Sequence, residues 1–359
     1  MKTLAFTIVT RNRIHLARVL MQSIAAEFPE AGRHVLVVDP CDGLFDPAAE
    51  PFNVTFGAEL ALPDFDSYTF VNDALSLCCL LKPAFALHLL ERCDADLLLY
   101  ADSDMLCHAR PDALLQVMRD APVALTPHVL TPLADIAPRT DNDIMRSGAF
   151  NAGFFAVRRS SEAERFLVWW LAALKRERKL DATFCHDQQF LSLAAVYFPA
   201  IAVLRDPGYN AAYWNLTERP LARDPGGRLT VGNRPLSIFH YSFFDVATPH
   251  LLANRPPLIV PAGSELMKNL LRSYADSILR AGFETCLRWS YGYGCFTDGK
   301  PITRAHQEYY LGRVWDEPGR NGSPFEPTFR TAGCHGLKSV YSLDRPLPRF
   351  IRWLRGKLR

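Results

Sequence analysis

The chain alternates short apolar runs with longer segments whose apolar residues recur at helical spacing. Residues 4–10 form a buried-strand run, and residues 14–27 place Leu16, Val19, Leu20 and Ile24 on one helical face. Residues 34–39 predict a second strand, closed by Asp39-Pro40. Residues 70–81 and 83–92 predict two helices separated at Lys82-Pro83. Residues 96–101 predict a third strand that runs directly into Asp102. Pro111 suits the first position of a helix reaching residue 119, and residues 123–126 predict a fourth strand. Strand and helix alternating in this rhythm imply an α/β domain with a mostly parallel sheet and flanking helices.

Beyond this point the pattern is less regular. Residues 150–158 predict a strand, and Ser161 with Glu164 has capping-box spacing before a helix over 162–178. Residues 186–196 predict a helix, residues 201–205 a strand, and a Gly-Asn turn within 229–241 a hairpin. Past Pro256 the composition shifts, with a helix over 265–279 and a Gly/Tyr/Pro-rich stretch over 291–327. Two regions are expected: a domain over 1–255 and a mainly helical C-terminal extension over 256–359. The last fifteen residues, 345–359, carry six basic residues and no acid, interleaved with Leu347, Phe350, Ile351, Trp353, Leu354 and Leu358. Such a segment suits either a basic amphipathic helix on an anionic membrane surface or a basic helix packed on its own protein.

Composition narrows the function classes. At 359 residues and 49% hydrophobic, the chain can bury a sizeable core. Its 40 basic and 38 acidic residues leave a net charge of +2, which argues against nucleic acid or another polyanion as a general partner. Nine cysteines without a C-x-x-C pair predict free thiols in a reducing compartment, hence the cytoplasm. Residues 1–10 lack a secretory cleavage pattern. A membrane span needs about twenty apolar residues. The run 166–174 is too short, and 74–90 is interrupted by Lys82-Pro83.

The candidate chemistry lies at strand ends. Four Asp-x-Asp pairs occur, at 64/66, 94/96, 102/104 and 141/143. Only Asp102 and Asp104 directly follow an apolar strand, Leu97-Leu98-Leu99-Tyr100-Ala101. Ligands of open α/β sheets bind beyond the carboxyl ends of strands. Two carboxylates there can hold a hard divalent cation, with diphosphate oxygens completing its shell. The other three pairs read as solvated or capping acids.

The segment Leu98-Leu99-Tyr100-Ala101-Asp102-Ser103-Asp104 resembles the acidic motif of GT-A-fold glycosyltransferases. In the same order, Phe150-Asn151-Ala152-Gly153-Phe154-Phe155, Asp187-Gln188 and Ile238-Phe239-His240-Tyr241-Ser242 resemble segments of the retaining transferases of family 8 and related bacterial enzymes. The segment from Tyr209-Asn210 to Trp214-Asn215 is also similar to that of bacterial relatives. Together these cover about residues 1–245. The resemblance implies a GT-A domain that uses a UDP-sugar donor, a saccharide or glycolipid acceptor and Mn²⁺ or Mg²⁺, with retention. It implies metal ligation by Asp102, Asp104 and His240, and an imidazole ligand favours Mn²⁺. It places Thr10, Asn12, Lys82, Ser103, Asn151 and Gly153 around the nucleotide and donor sugar. Asp187 would bind sugar hydroxyls, and Gln188 would stabilise the oxocarbenium-like centre. Trp214 with Tyr213, and Pro127-His128, could face the acceptor.

Each residue has a plainer reading beside this one. Asn12 and Asn151 could be capping residues, Gly153 a turn glycine, Lys82 a lysine snorkelling at a helix end, Asp187 a helix N-terminal acid and His240 a core histidine. One departure stands out: the family's lysine after the histidine is absent from His240-Tyr241-Ser242-Phe243-Phe244-Asp245. Two other functions compete, a sugar-nucleotide nucleotidyltransferase and a non-catalytic carbohydrate-binding relative. The first expects a glycine-rich loop after the first strand, where this chain has Thr10-Arg11-Asn12-Arg13-Ile14.

Overall fold

The computed structural model describes residues 1–133, 137–178, 186–254, 257–260, 263–316 and 322–329, with the side chain of His186 excepted. The basic segment 345–359 lies outside the described residues. The chain divides into two compact units, one comprising Met1–Tyr68 with Asn72–Gly292, the other Thr69–Val71 with Tyr293–Arg359. The compositional shift at Pro256 therefore does not mark the boundary between compact units. The helix Glu265–Arg280 explains why, since its Leu270, Leu271, Tyr274 and Ile278 are buried in one cluster with Val19, Phe239 and Tyr241 of the first unit.

The first unit is built on a seven-stranded sheet. Across it run Asn53–Phe56, Gly32–Val37, Thr3–Val9, Leu97–Ala101, Phe150–Arg158, Val123–Pro127 and Ile201–Val203. Neighbours pair in parallel except around Phe150–Arg158, which is antiparallel to both of its partners. Thr3–Val9 and Leu97–Ala101 are buried along their whole length. A strand covered on both faces needs the near-continuous apolar run these two show. The mixed α/β architecture expected from the sequence is thus the observed one.

Some local features differ from the sequence reading. Residues 74–92 form one helix, Ala74–Arg92, with Pro83 inside it. An interior proline costs about 3 kcal/mol. Burial of Leu77, Leu80, Leu81, Phe85, Ala86 and Leu89 outweighs that cost. The helix is therefore long and apolar enough to span a membrane by composition, yet most of it is buried inside the protein. The cap of the next long helix is Ser160, not Ser161. The Ser160 hydroxyl accepts from Ala163 N, and the helix runs Ser161–Arg176. Pro111 precedes the helix Asp112–Val117 rather than opening it. The hairpin joins Leu229–Val231 to Arg234–Pro235, while Ile238–His240 belongs to a separate three-stranded sheet with Met105–Cys107 and Ala211–Ala212.

In the second unit, the Phe70 ring packs among Phe296, Tyr310, Phe325 and Phe329, at centroid distances of 5.2 to 6.0 Å.

Candidate functional site

The antiparallel strand is what gathers the site. Parallel strands deliver their carboxyl ends to one edge of the sheet, and Leu97–Ala101 delivers Asp102 there. Because Phe150–Arg158 runs the other way, it brings its first residues to the same edge. Ala101 pairs with Phe154, and Asp102 N donates to Gly153 O at 2.7 Å. Gly153 is required by this crowding. A Cβ on it would lie 2.6 Å from Asn151 Oδ1 and 2.8 Å from Asp102 Oδ2.

The small sheet brings in the histidine. Met105–Cys107 starts directly after the acidic pair and lies antiparallel to Ile238–His240, with His240 opposite Met105. Tyr241 N donates to Asp104 O at 2.8 Å. As a result, ligand atoms of Asp102, Asp104 and His240 lie within 4.8 Å of one another. His240 Nε2 stands 3.1 Å from Asp104 Oδ1. Burial works against charge on both groups, but their mutual attraction and hydrogen bond prevail, raising the pKa of His240 and lowering that of Asp104.

Hydrogen-bond donors of fixed identity set the tautomer of His240. Gly153 N–H can only donate, and it reaches Asn151 Oδ1 at 2.9 Å. Asn151 Oδ1 also accepts from Asn210 Nδ2 at 2.9 Å. Asn210 then turns its Oδ1 to His240 Nδ1 at 3.1 Å, so Nδ1 carries the hydrogen. Neutral His240 therefore presents the Nε2 lone pair to a carboxylate. Two acceptors at that distance need a positive charge between them, supplied by a proton or a metal ion. Asn210 itself is fully buried and left-handed, with φ 56°. Asparagine tolerates this conformation better than most residues.

The same network continues on the other side. Asn151 Nδ2 donates to His128 Nε2 at 3.0 Å and to Gln188 Oε1 at 2.9 Å. His128 must then donate through Nδ1 to Gly148 O, at 2.8 Å. Burial, with the Gly148 bond opposing it, pushes the His128 pKa down to about 4 and keeps the ring neutral at physiological pH. Gln188 Oε1 also accepts from Ala152 N at 3.1 Å. Both acceptor positions of that oxygen are thereby occupied, and the orientation of the amide is fixed. Gln188, which the resemblance expects to stabilise an oxocarbenium-like centre, has its side-chain oxygen on protein donors and so also holds Asn151 and Ala152 in place.

Lys82 ties the acidic pair to the helix His186–Tyr197. Its Nζ lies 3.0 Å from Asp187 Oδ2, 3.3 Å from Asp102 Oδ1 and 3.1 Å from Ala152 O. Burial disfavours the ammonium, yet Asp102 and Asp187 together raise its pKa well above the ordinary value, so it stays charged. Tyr100 donates its hydroxyl to Asp102 Oδ1 at 2.5 Å, and Lys82 sits 5.1 Å from the Tyr100 ring centroid.

Two cavities meet over this cluster. One of about 950 Å³ is lined by Thr10, Asn12, Arg13, Ser103 and Tyr274 among others. The other, of about 490 Å³, is lined by Asn151, Asp187, Gln188, His128, Tyr213 and Trp214 among others. Lys82, Asp102 and Asp104 line both. Of the residues expected from the sequence, Gly153 shapes the shared wall, Pro127 lines neither cavity, and the others line one or both. Thr10 and Asn12 bond each other at 2.6 Å through Thr10 Oγ1 and Asn12 Oδ1. Sequence reasoning missed Tyr100 and Asn210 as site residues. Tyr100 and Asn210 lie inside quoted motif segments but look like core and turn residues there.

No protein-family model matches the chain. Of curated proteins, the uncharacterised protein YfnD of Bacillus subtilis (strain 168) is 26% identical over 183 residues, covering 48% of this chain. The match spans 54% of that relative's length. Among solved structures, the galactosyltransferase LgtC in complex with donor and acceptor sugar analogues aligns at TM-score 0.42 and 15% identity, covering 77% of this chain and 95% of that one. The glycosyltransferase GlyE of Streptococcus pneumoniae TIGR4 aligns at TM-score 0.41 and 13% identity, covering 82% of this chain and 67% of that one. These structural neighbours are glycosyltransferases. Their superposition is too loose to carry chemistry, which rests on the cluster of Asp102, Asp104 and His240 itself.

Proposed function

We propose that the protein is a metal-dependent glycosyltransferase that moves a hexose or N-acetylhexosamine from a UDP-sugar to a saccharide or glycolipid acceptor. The observation that carries this reading is the convergence of Asp102, Asp104 and His240 within 4.8 Å where two cavities meet. Two carboxylate oxygens and an imidazole nitrogen suit Mn²⁺, and Mg²⁺ less well. The fit is supported by the tautomer, because Asn210 leaves the Nε2 lone pair of His240 free to ligate. When bound, the cation would neutralise the departing nucleoside diphosphate.

The larger cavity suits the nucleotide, since Thr10 and Asn12 offer polar groups at the end of the first strand. Arg13 on the same cavity is our candidate for the diphosphate contact that the missing lysine after His240 would otherwise supply. The smaller cavity suits the donor sugar and acceptor. Asp187 would accept from sugar hydroxyls while Lys82 holds it in place. Asn151 and Gln188 would hold the wall behind the sugar. Retention is the expected stereochemistry, and the anomeric proton coupling of the product reads it directly.

The test is UDP release from a panel of UDP-sugars with Mn²⁺. Activity should disappear in Asp104→Ala and in EDTA, with circular dichroism unchanged. Full turnover in either case would defeat the metal role. We further propose a cytoplasmic protein that meets the inner membrane surface through residues 345–359. Equal co-sedimentation of the full chain and a chain ending at residue 344 with anionic liposomes would remove the basis for that contact.

A further inference from the structure

We propose that Arg139 forms an anion subsite that selects a sugar substrate carrying a carboxylate or phosphate. The proposal rests on the glycosyl-transfer reading and adds a substrate class to it. Arg139 lines the smaller cavity together with Asn151, Asp187, Tyr213 and Trp214. Its guanidinium donates through Nε and Nη2 to a single oxygen, Tyr213 Oη, at 3.2 and 2.7 Å. It also lies over the Tyr213 ring, 5.7 Å from the centroid. A guanidinium has five N–H donors. Among the described residues these two contacts use only one edge of it.

Asp143, an acid on the same cavity, feels the charge of Arg139 but is held by a helix cap. Asp143 Oδ2 accepts from Thr140 N and Thr140 Oγ1, both at 2.9 Å, as part of a helix cap. Lys82, the other cation of this cavity, is held by Asp187 and Asp102. Arg139 is therefore a cation with no carboxylate in ion-pair contact among the described residues, at a cavity wall next to a metal-type cluster. The aromatic series links it to that cluster. Tyr213 lies 5.1 Å from Trp214, and Trp214 packs edge-on against His240 at 5.3 Å. Tyr213 holds the plane of the guanidinium, which reduces the entropy lost when its free edge meets a second group. A planar carboxylate or phosphate matches that edge with paired, charge-assisted hydrogen bonds, which a neutral hydroxyl cannot supply.

The anion could belong to the donor sugar or to the acceptor, and the experiment separates them. Dissociation constants are measured by calorimetry on the full chain with Mn²⁺, for wild type, Arg139→Gln and Arg139→Lys. The donor arm compares UDP-glucuronate with UDP-glucose. The acceptor arm, at saturating UDP and Mn²⁺, compares glucuronate and glucose 6-phosphate with glucose. One arm should show a preference of about tenfold for the charged sugar in wild type. That preference should vanish in Arg139→Gln and survive in part in Arg139→Lys, while UDP binding with Mn²⁺ is equal in all three. Equal binding of charged and neutral sugars in both arms, or a preference unchanged in Arg139→Gln, would overturn the proposal and leave the transferase reading intact. Failure of UDP with Mn²⁺ to bind wild type would overturn both.

Discussion

Replacing Asn210 with glycine tests whether a buried amide sets the metal affinity of a site through the far nitrogen of one ligand. Glycine keeps the left-handed backbone at φ 56° without strain, so the change removes only the side chain. Three contacts go: His240 Nδ1 at 3.1 Å, Asn151 Oδ1 at 2.9 Å and Thr126 Oγ1 at 3.2 Å. The loss at His240 matters most for binding. Without an acceptor at Nδ1, the buried ring can place its hydrogen on Nε2, facing Asp104, and lose the lone pair that would ligate. Groups that hold a ligating histidine by its other nitrogen are worth about 10–100-fold in metal affinity, or about 1.4–2.7 kcal/mol. Leaving a buried polar group unpaired costs a further 1–3 kcal/mol of stability, roughly. We therefore expect Asn210→Gly to bind Mn²⁺ about 10–100-fold more weakly, read from the electron paramagnetic resonance of free Mn²⁺. Urea unfolding without metal should show a stability loss of about 1–3 kcal/mol. A folded Asn210→Gly protein that bound Mn²⁺ within twofold of wild type would refute the tautomer argument.

Three further outcomes follow from the same structure. Lys82→Met should destabilise the protein by about 3–5 kcal/mol in urea unfolding, because buried Asp187 loses its counter-charge; adding Asp187→Asn should recover part of the loss, and no recovery would mean that the pair is not the cause. Gly153→Ala should cost about 1–3 kcal/mol through crowding against Asp102, Asn151 and Met105, and weaken Mn²⁺ binding as well; a neutral result in both assays would show that the site relaxes freely. His15 is fully buried with neither ring nitrogen bonded among the described residues, and burial followed by the charges of Arg13 and Arg18 lowers its pKa to about 4. Its folded pKa lies below the unfolded value near 6.5, so the stability it contributes is complete above about pH 6.5 and is lost as pH falls towards 4. His15→Leu should therefore lose less stability than wild type between pH 7 and 4, by about 3 kcal/mol, and identical pH profiles for the two proteins would contradict this.

Much of the fold was legible because periodicity is a local property. The strands at 4–10, 96–101 and 150–158 and the helices at 14–27 and 265–279 carry their own signal, and the structure places them within a few residues of those bounds. Where the reading failed, tertiary burial outweighed a local rule. Pro83 should break a helix, and it does not because the residues around it are buried on the same element. Ser160 rather than Ser161 caps the next helix because the cap is the residue that stays extended, with φ −169° and ψ 157°.

The site divides along the same line. By itself the sequence determined that an acidic pair ends a buried strand and that a histidine ends another, since strand ends follow from the hydrophobic run. It also supplied Lys82, Asn151, Asp187 and Gln188 as polar residues in apolar or motif-bearing settings. Only the tertiary structure decided that these groups meet. The antiparallel strand turns Asn151 and Gly153 towards Asp102, and the pairing of Met105 with His240 sets the imidazole beside Asp104. Neither the strand's direction nor that pairing is encoded in a local period, because both are settled by long-range hydrogen bonds. The tautomer of His240 is further removed still. It depends on a chain of hydrogen bonds from the Asn151–Gly153 turn through Asn210 to His240, segments far apart in sequence that share one buried network only in the folded protein.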